Sequence, residues 1–442
     1  MGALSLKAII QISDMIKVLW FTNVDVDLGD LEKGLNSDKR GWMSTLAAEI
    51  MEETELHVAS MSVKKKKSFL QGNLLYNHYL TPKFARTKLF LRILLGYKSV
   101  NNNILPQMLK LVEEIQPDLV HIHGSENEYI RIIPELNKMN IPALVSLQGI
   151  VSVISKKFTA GYSKLYVFTH FFNRGFKRTA ILPQTLFLQW YQFKKQAKLE
   201  EEIFKEVPFF AGRTFWDRSI VGVLNPKAMY FHIDRVLKPI FYQKVWNTKR
   251  NEEVYIIHTT TSNSIYKGFE IIAESAYLLE NSGLSFEWRI AGIKEDSWSV
   301  IHARKKLGLR FPKKSLVFLG KLNALDLANR MIESDQYVSS SHIENSPNNL
   351  AEAMMLGMPC IATDVGGTST YLQNNLNGIL VPSGDPHALA GSIFSLSLDL
   401  ERRKRLGMNA RQISLDRHNK AKIKSAIINT YNTIIDKRLE KQ

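Results

Sequence analysis

The chain has almost no cysteine. Cys360 is the one cysteine among 442 residues, which excludes an intrachain disulfide framework and a cysteine cluster for a metal ion. It stands in the apolar run 358–362, where a thiol is most simply a buried core group, and this fits a reducing compartment. Also missing is any apolar run of the ~18 residues needed to span a bilayer. There is no internal repeat and no low-complexity tract. Residues 1–13 carry one lysine and a short apolar stretch, without a convincing cleavage site. A first buried strand starts at about residue 15. Residues 1–14 therefore read either as an extension or as the product of a start site placed too early, with Met15 the true beginning.

Acidic residues are in deficit: 42 Asp and Glu against 58 Lys and Arg leave a net charge of +16. A basic surface attracts nucleic acid, anionic lipid or anionic substrates; the plain alternative is a lysine-rich composition with no specific partner. No nucleic-acid module is recognised, so nucleic acid is not an expected partner. The length suggests two or three domains.

Strand and helix patterns alternate along the chain, as expected for parallel sheets with helices on both faces. Strands are expected at 17–22, 55–61, 119–123, 141–147, 208–214, 254–258, 288–292, 316–320 and 336–339, and helices at 41–53 and 101–116. The run 64–67 reads as a solvated loop, 215–250 as a connection, and the chain beyond Asp385 as helical. Residues 156–205 interleave Lys and Arg with Phe and Tyr. That pattern suits an anionic membrane surface or a pair of core helices with lysines outside, at even odds.

Residues 341–359 are the most informative. Glu344 and Glu352 stand with seven residues between them across a punctuated helix start. Ser346 suits the cap, Pro347 the first helical position and Gly357 the residue past the end, and Pro359 blocks continuation. The backbone N–H groups near Asn348, Asn349 and Leu350 make a seat for a phosphate. A ligand with a central diphosphate and hydroxyls on both sides, a nucleotide-sugar, fits this layout. Further back, Lys267-Gly268 follows the 254–258 strand and a polar loop, where lysine would be a point charge on the diphosphate.

The ordered run from Ser341 to Asp385 continues through Ala353-Met354, Gly357-x-Pro359, Thr363-Asp364-Val365-Gly366-Gly367 and Asn377-Gly378-Ile379-Leu380-Val381-Pro382. It resembles the donor-site signature of the retaining glycosyltransferases of family 4, the glycosyl transferases group 1. The resemblance implies an α/β chain of GT-B fold: two Rossmann-like domains face each other across a cleft, and a C-terminal helix packs back on the first. The boundaries expected are 15–245 for the acceptor domain, 246–415 for the nucleotide-sugar domain and 416–442 for the returning helix.

It also implies hexosyl transfer with retention, from a UDP- or GDP-sugar to a hydroxyl of a glycan or lipid-linked acceptor, without metal or other cofactor. The setting would be cell-surface polysaccharide synthesis. The protein would be cytoplasmic, with peripheral attachment to the inner membrane face if the basic-aromatic segment meets lipid. On that reading Glu344 lies beside the transferred sugar and Glu352 holds the nucleotide ribose. Lys267 with Gly268, and the N–H groups of Asn348, Asn349 and Leu350, take the diphosphate. Gly366 and Gly367 let backbone approach the ligand.

The family's Arg after the preceding strand is absent here, and Lys321 is the substitute candidate. Thr368-Ser369-Thr370 stands where x-Pro-Glu is usual. In the first domain, Asp118-x-x-His121-x-His123 matches a family stretch, with His123 at the cleft as a catalytic candidate. Gln148, Gly41 and Trp42 fall on the acceptor side. The rivals are a GT-B nucleotide-sugar epimerase, a two-carboxylate glycosidase, and a basic membrane- or nucleic-acid-binding protein with no enzyme activity.

Overall fold

The computed structural model describes residues 15–24, 26, 42–61, 69–71, 75–80, 104–169, 186–247 and 254–440. The strands of the first sheet are β1 (Ile16–Thr22), β2 (Thr54–Met61), β3 (Phe69–Gln71), β4 (Leu75–Leu80), β5 (Leu119–His123), β6 (Ala143–Ser146), β7 (Phe209–Gly212) and β8 (Met229–His232). They lie in the order β3-β4-β2-β1-β5-β6-β7-β8. All neighbours pair in parallel except β3, which runs antiparallel to β4. Val18 through Phe21 are fully buried in succession, the mark of a parallel strand covered on both faces.

The second sheet is built from β9 (Tyr255–Thr260), β10 (Phe286–Ala291), β11 (Leu316–Gly320), β12 (Gln336–Ser339), β13 (Cys360–Thr363) and β14 (Ile379–Val381), ordered β11-β10-β9-β12-β13-β14 and wholly parallel. Each sheet reverses its winding once, at β1/β5 and at β9/β12. Ligands of open α/β sheets collect outside the strand ends at such a reversal.

The last helix, Lys420–Leu439, returns to the first sheet. Ile423, Ile427, Tyr431 and Ile434 enter its core. Lys420 pairs with Glu49 at 3.3 Å and Lys424 with Glu53 at 2.8 Å. The hydroxyl of Tyr431 accepts from Trp20 Nε1 at 3.0 Å and lies 2.7 Å from His121 Nδ1. One hydroxyl thus makes two buried polar contacts between helix and sheet inside an apolar interface.

Residues 215–250, expected as a bare connection, hold structure. The helix Phe215–Leu224 opens with a capping box between Thr214 and Asp217, and β8 and the short helix Pro239–Gln243 follow. Within 156–205, Leu199, Ile203 and Phe204 pack in the first lobe's core, whereas the earlier aromatics settle against the second lobe. Phe158 and Val167 cluster with Ile265, and Tyr162, Trp190 and Phe193 pack around them beside Tyr266 and Trp298. Tyr166 Oη sits 2.8 Å from His302 Nδ1. These aromatics join the lobes, which favours the core-helix reading for them. Phe171, Phe172, Arg174, Phe176, Lys177 and Arg178 lie outside the described residues.

Candidate functional site

A polar cavity of about 280 Å³ opens at the β9/β12 reversal, between the two lobes. Thr259 to Ser262 at the end of β9, Ser339 to Ser341 at the end of β12, Lys267, Glu344 and the stretch Ser346 to Asn349 line it, and Gln148 closes it from the first lobe.

Three close approaches of glycine to a carbonyl fix the charged pair on its wall. Gly268 adopts φ +70°, and a Cβ there would lie 2.0 Å from the Ser340 carbonyl. Only glycine tolerates both the torsion and the approach, so the Lys267 turn is pressed onto the end of β12. Lys267 Nζ then donates to Glu344 Oε1 at 2.6 Å, and Ser341 Oγ donates to the same oxygen at 2.7 Å. Burial works to lower the Lys267 pKa. The Glu344 charge and Tyr266, with the Glu344 hydrogen bond, outweigh it and hold the ammonium above its ordinary value.

On the other side, Gly366 takes φ +53° with the Glu344 carbonyl 1.9 Å from where a Cβ would stand, and the same position at Gly367 is 1.9 Å from the Asn345 carbonyl. The close approach these glycines permit is therefore to the chain's own 344–345 backbone. The Gly367 N–H donates to the Glu344 carbonyl at 3.0 Å.

The helix after this loop is Asn348–Leu356, ended by Gly357 in the left-handed conformation at φ +83°. Its start differs from the sequence expectation. Pro347 is the cap residue, and no side chain caps the helix. Ser346 does not cap because its hydroxyl is engaged across the cleft, accepting from Arg213 Nη1 at 2.9 Å. The first intrahelical bond runs from Ala351 N–H to the Pro347 carbonyl at 3.1 Å. The N–H groups of Asn348, Asn349 and Leu350 therefore precede the helical ladder; Asn348 and Asn349 line the cavity, where a helix start favours an anion, and Leu350 lies buried behind them.

Other expected residues lie elsewhere. Glu352 is one turn deeper on the helix, half-buried, and not among the cavity-lining residues. Burial pushes its pKa up to about 7, against the opposing charges of Lys238 and Arg235. Lys321 is exposed beyond the edge strand β11 and does not reach the cavity. Sequence proximity to a strand end made it a candidate, but strand order puts it two strands from β12's neighbour β9. Gly41 lies outside the described residues.

His123 is 1 % exposed and does not line the cavity either. Its ring packs 4.5 Å from Trp20 and 6.1 Å from Trp42. Burial, then the neighbouring His121, Arg213 and Arg235, hold its pKa well below the ordinary value. The Trp42 indole lies under the Arg235 guanidinium, 4.0 Å from its carbon, where stacking on a sugar was expected.

The sequence reading missed the hydroxyl rim and the clasp between lobes. Besides Arg213 and Ser346, Thr214 Oγ1 donates to Asn345 Oδ1 at 3.2 Å, and Asn345 Nδ2 donates to the Gln148 carbonyl at 3.4 Å. A signal for the rim existed in Thr259-Thr260-Thr261 and Ser339-Ser340-Ser341, each at the end of a strand. Nothing in the sequence pairs Arg213 with Ser346.

Two reversal points facing each other across a cleft, with the last helix returned to the first lobe, define the GT-B fold. Residues 243–413, in the second lobe, match the family Glycosyl transferases group 1. A curated relative is N-acetyl-alpha-D-glucosaminyl L-malate synthase of Bacillus anthracis, 32% identical over 119 residues, which are 27% of this chain and 30% of that protein. The match thus spans less than a third of the relative's length. Among solved structures, sucrose-phosphate synthase from Thermosynechococcus elongatus superposes with a TM-score of 0.71 at 14% identity, covering 95% of this chain and 99% of the other. Anabaena HepE in complex with UDP-glucose gives 0.63 at 14% identity, with 95% and 100% covered. At such identities the likeness concerns the fold.

Proposed function

We propose that the protein is a retaining glycosyltransferase that moves a hexosyl group from a UDP- or GDP-sugar to a hydroxyl of a glycan or lipid-linked acceptor, in the surface-polysaccharide setting that the motif implies. One observation carries the reading: an ammonium, an uncapped helix start and a carboxylate converge on a single cavity at the reversal point of a Rossmann-like sheet. The match of the second lobe to Glycosyl transferases group 1 and the UDP-glucose held by HepE support it.

In the reaction, the bond between the anomeric carbon and the diphosphate oxygen breaks. The acceptor oxygen forms the new bond on the same face, and its proton passes to the departing diphosphate. Lys267 and the N–H groups of residues 348–350 receive the negative charge that grows on that leaving group. Glu344 has a double part: it holds Lys267 in place, and its second oxygen faces the transferred sugar. Glu352 is proposed to reach the ribose from its deeper position. Gly268, Gly366 and Gly367 act by placing the residues around them. A glycosidase needs two carboxylates flanking the bond, whereas Glu344 is the one carboxylate among the described residues that line the cavity.

The test pairs binding with turnover. One of UDP or GDP should raise the unfolding temperature. Glu344→Gln should keep that protection and lose transfer by roughly 10²–10³-fold, the scale of a lost preorganised electrostatic contact. Undiminished transfer in the variant would refute the assignment.

A further inference from the structure

On the first lobe's wall of the cleft, two guanidinium groups share one indole. Arg235 lies 4.0 Å from the Trp42 ring centroid and Arg213 5.8 Å. They are 6 % and 5 % exposed, and neither has an ion-pair partner among the described residues. Arg235 Nε has no hydrogen-bond partner among the described residues. Around them stand further buried polar atoms in the same condition: both ring nitrogens of His123, Oε2 of Glu126 and Nδ2 of Asn127. His123 ends β5, and Glu126 and Asn127 follow in the loop that leaves it. Buried polar groups in a folded protein are nearly always satisfied. A cation removed from water without a counter-charge is strongly disfavoured. A group of such atoms at the end of parallel strands, at a reversal point, is what a ligand-free binding site presents.

The position relative to the cavity is fixed by one contact. Arg213 donates to Ser346 Oγ at 2.9 Å, and Ser346 itself lines the cavity. The arginine pair therefore adjoins the donor chamber, separated from the uncapped helix start by one hydroxyl. Burial, then the Arg213 charge, pulls the Arg235 pKa well below the ordinary guanidinium value, with Tyr371, Glu126 and Glu352 acting against that. Burial pushes Glu126 up to about 7, with the Glu200 charge adding to the rise, and burial alone raises Glu352 to about 7.

We propose that this cluster is the acceptor subsite and that it selects an anionic acceptor. A phosphate or carboxylate group sits between Arg213 and Arg235, and an adjacent hydroxyl is held by His123 and Glu126 toward the donor cavity. The assignment rests on the glycosyltransferase reading. It adds the chemical class of the acceptor, for which guanidinium forks suit the planar or tetrahedral oxyanion. The donor's own diphosphate is served from the other side of Ser346, by Lys267 and the helix start.

The experiment uses the full chain saturated with whichever of UDP or GDP stabilises it. Glycerol 3-phosphate, L-malate and glycerol are then added as probes, and thermal unfolding is followed. An anionic probe in ~100-fold excess over its dissociation constant should raise the unfolding temperature by about 2–3 °C, with glycerol inert. The preference between the first two probes tells phosphate from carboxylate. Arg235→Gln should lose the response to both anions and keep the nucleotide response.

An equal effect of glycerol, or an anion response in Arg235→Gln matching the wild type, would overturn the proposal, the latter because it marks general attraction to the basic surface. If Arg235→Gln does not fold, Arg235→Lys decides. Loss of the fork should weaken the anion at least fivefold, and unchanged affinity overturns the idea. A wild-type chain stabilised by neither nucleotide would sink the glycosyltransferase reading itself. A nucleotide response without an anion response sinks only the acceptor subsite.

Discussion

The two sheets reverse winding in the same way, and their reversal points look alike only in topology. At β9/β12 the strand ends are hydroxyls, and they surround an open chamber. At β1/β5 the corresponding space is packed with rings: His121 and His123 lie 3.9 Å apart, with Trp20, Trp42 and Tyr431 against them. The fold decides where a ligand can go. The side chains at the strand ends decide whether that place is solvated and ready to take charge, or dry and rigid. The first kind suits a nucleotide whose phosphates must be neutralised. The second suits an acceptor that must be held in one orientation, and it is anchored by the returning helix through Tyr431.

The sharpest way to break the comparison is to disturb the open chamber alone. Gly366→Ala puts a Cβ 1.9 Å from the Glu344 carbonyl at a left-handed torsion. A cost of about 2–4 kcal/mol in denaturant unfolding is expected, with loss of transfer because the Glu344 loop must move. A stable, active Gly366→Ala would show that the loop's position is not set by this contact.

The next test addresses the packed side. Tyr431→Phe removes the acceptor for Trp20 Nε1 and a partner of His121 Nδ1, both buried. It should cost about 2 kcal/mol and leave nucleotide protection intact, since it touches the first lobe only. Equal damage to nucleotide binding would mean that the two lobes are not separable in this way.

The smallest effect concerns Glu352. Its pKa of about 7 in the fold exceeds the ordinary 4.5, so between those values the folded state holds a proton that the unfolded chain has lost. Stability therefore declines as the pH rises through about 4.5 to 7. Glu352→Gln should match the wild type near pH 4 and exceed it by about 1–2 kcal/mol at pH 7.5. Parallel pH profiles for the two proteins would show that Glu352 is ionised and solvated.

Much of the donor chamber was legible in the chain because it is local. Glu344, the helix of residues 348–356, Gly357 and Lys267-Gly268 owe their placement to turns and strand ends that short motifs encode. What misled was local reasoning carried too far. Ser346 has the right residue type for a cap, yet its hydroxyl is taken by Arg213 from 133 positions away. Lys321 follows a strand as Lys267 does, yet β11 is an edge strand, and sequence order does not reveal that. The basic-aromatic segment split its reading between membrane and core because the partner of its aromatics, Ile265 to Trp298 and His302, belongs to another lobe.

The sequence by itself determined the alternation of strand and helix, the helix after Glu344 with its Gly357 end, and the turn at Lys267-Gly268, because period, helix termination and torsion are properties of neighbouring residues. Tertiary structure decided which strand ends meet, that hydroxyls line one reversal point and rings the other, that Arg213 takes the Ser346 hydroxyl, and that Arg213 and Arg235 gather at Trp42 with no ion-pair partner among the described residues. Those outcomes depend on groups brought together from distant parts of the chain, where burial and Coulomb interaction act on whatever the fold has made adjacent.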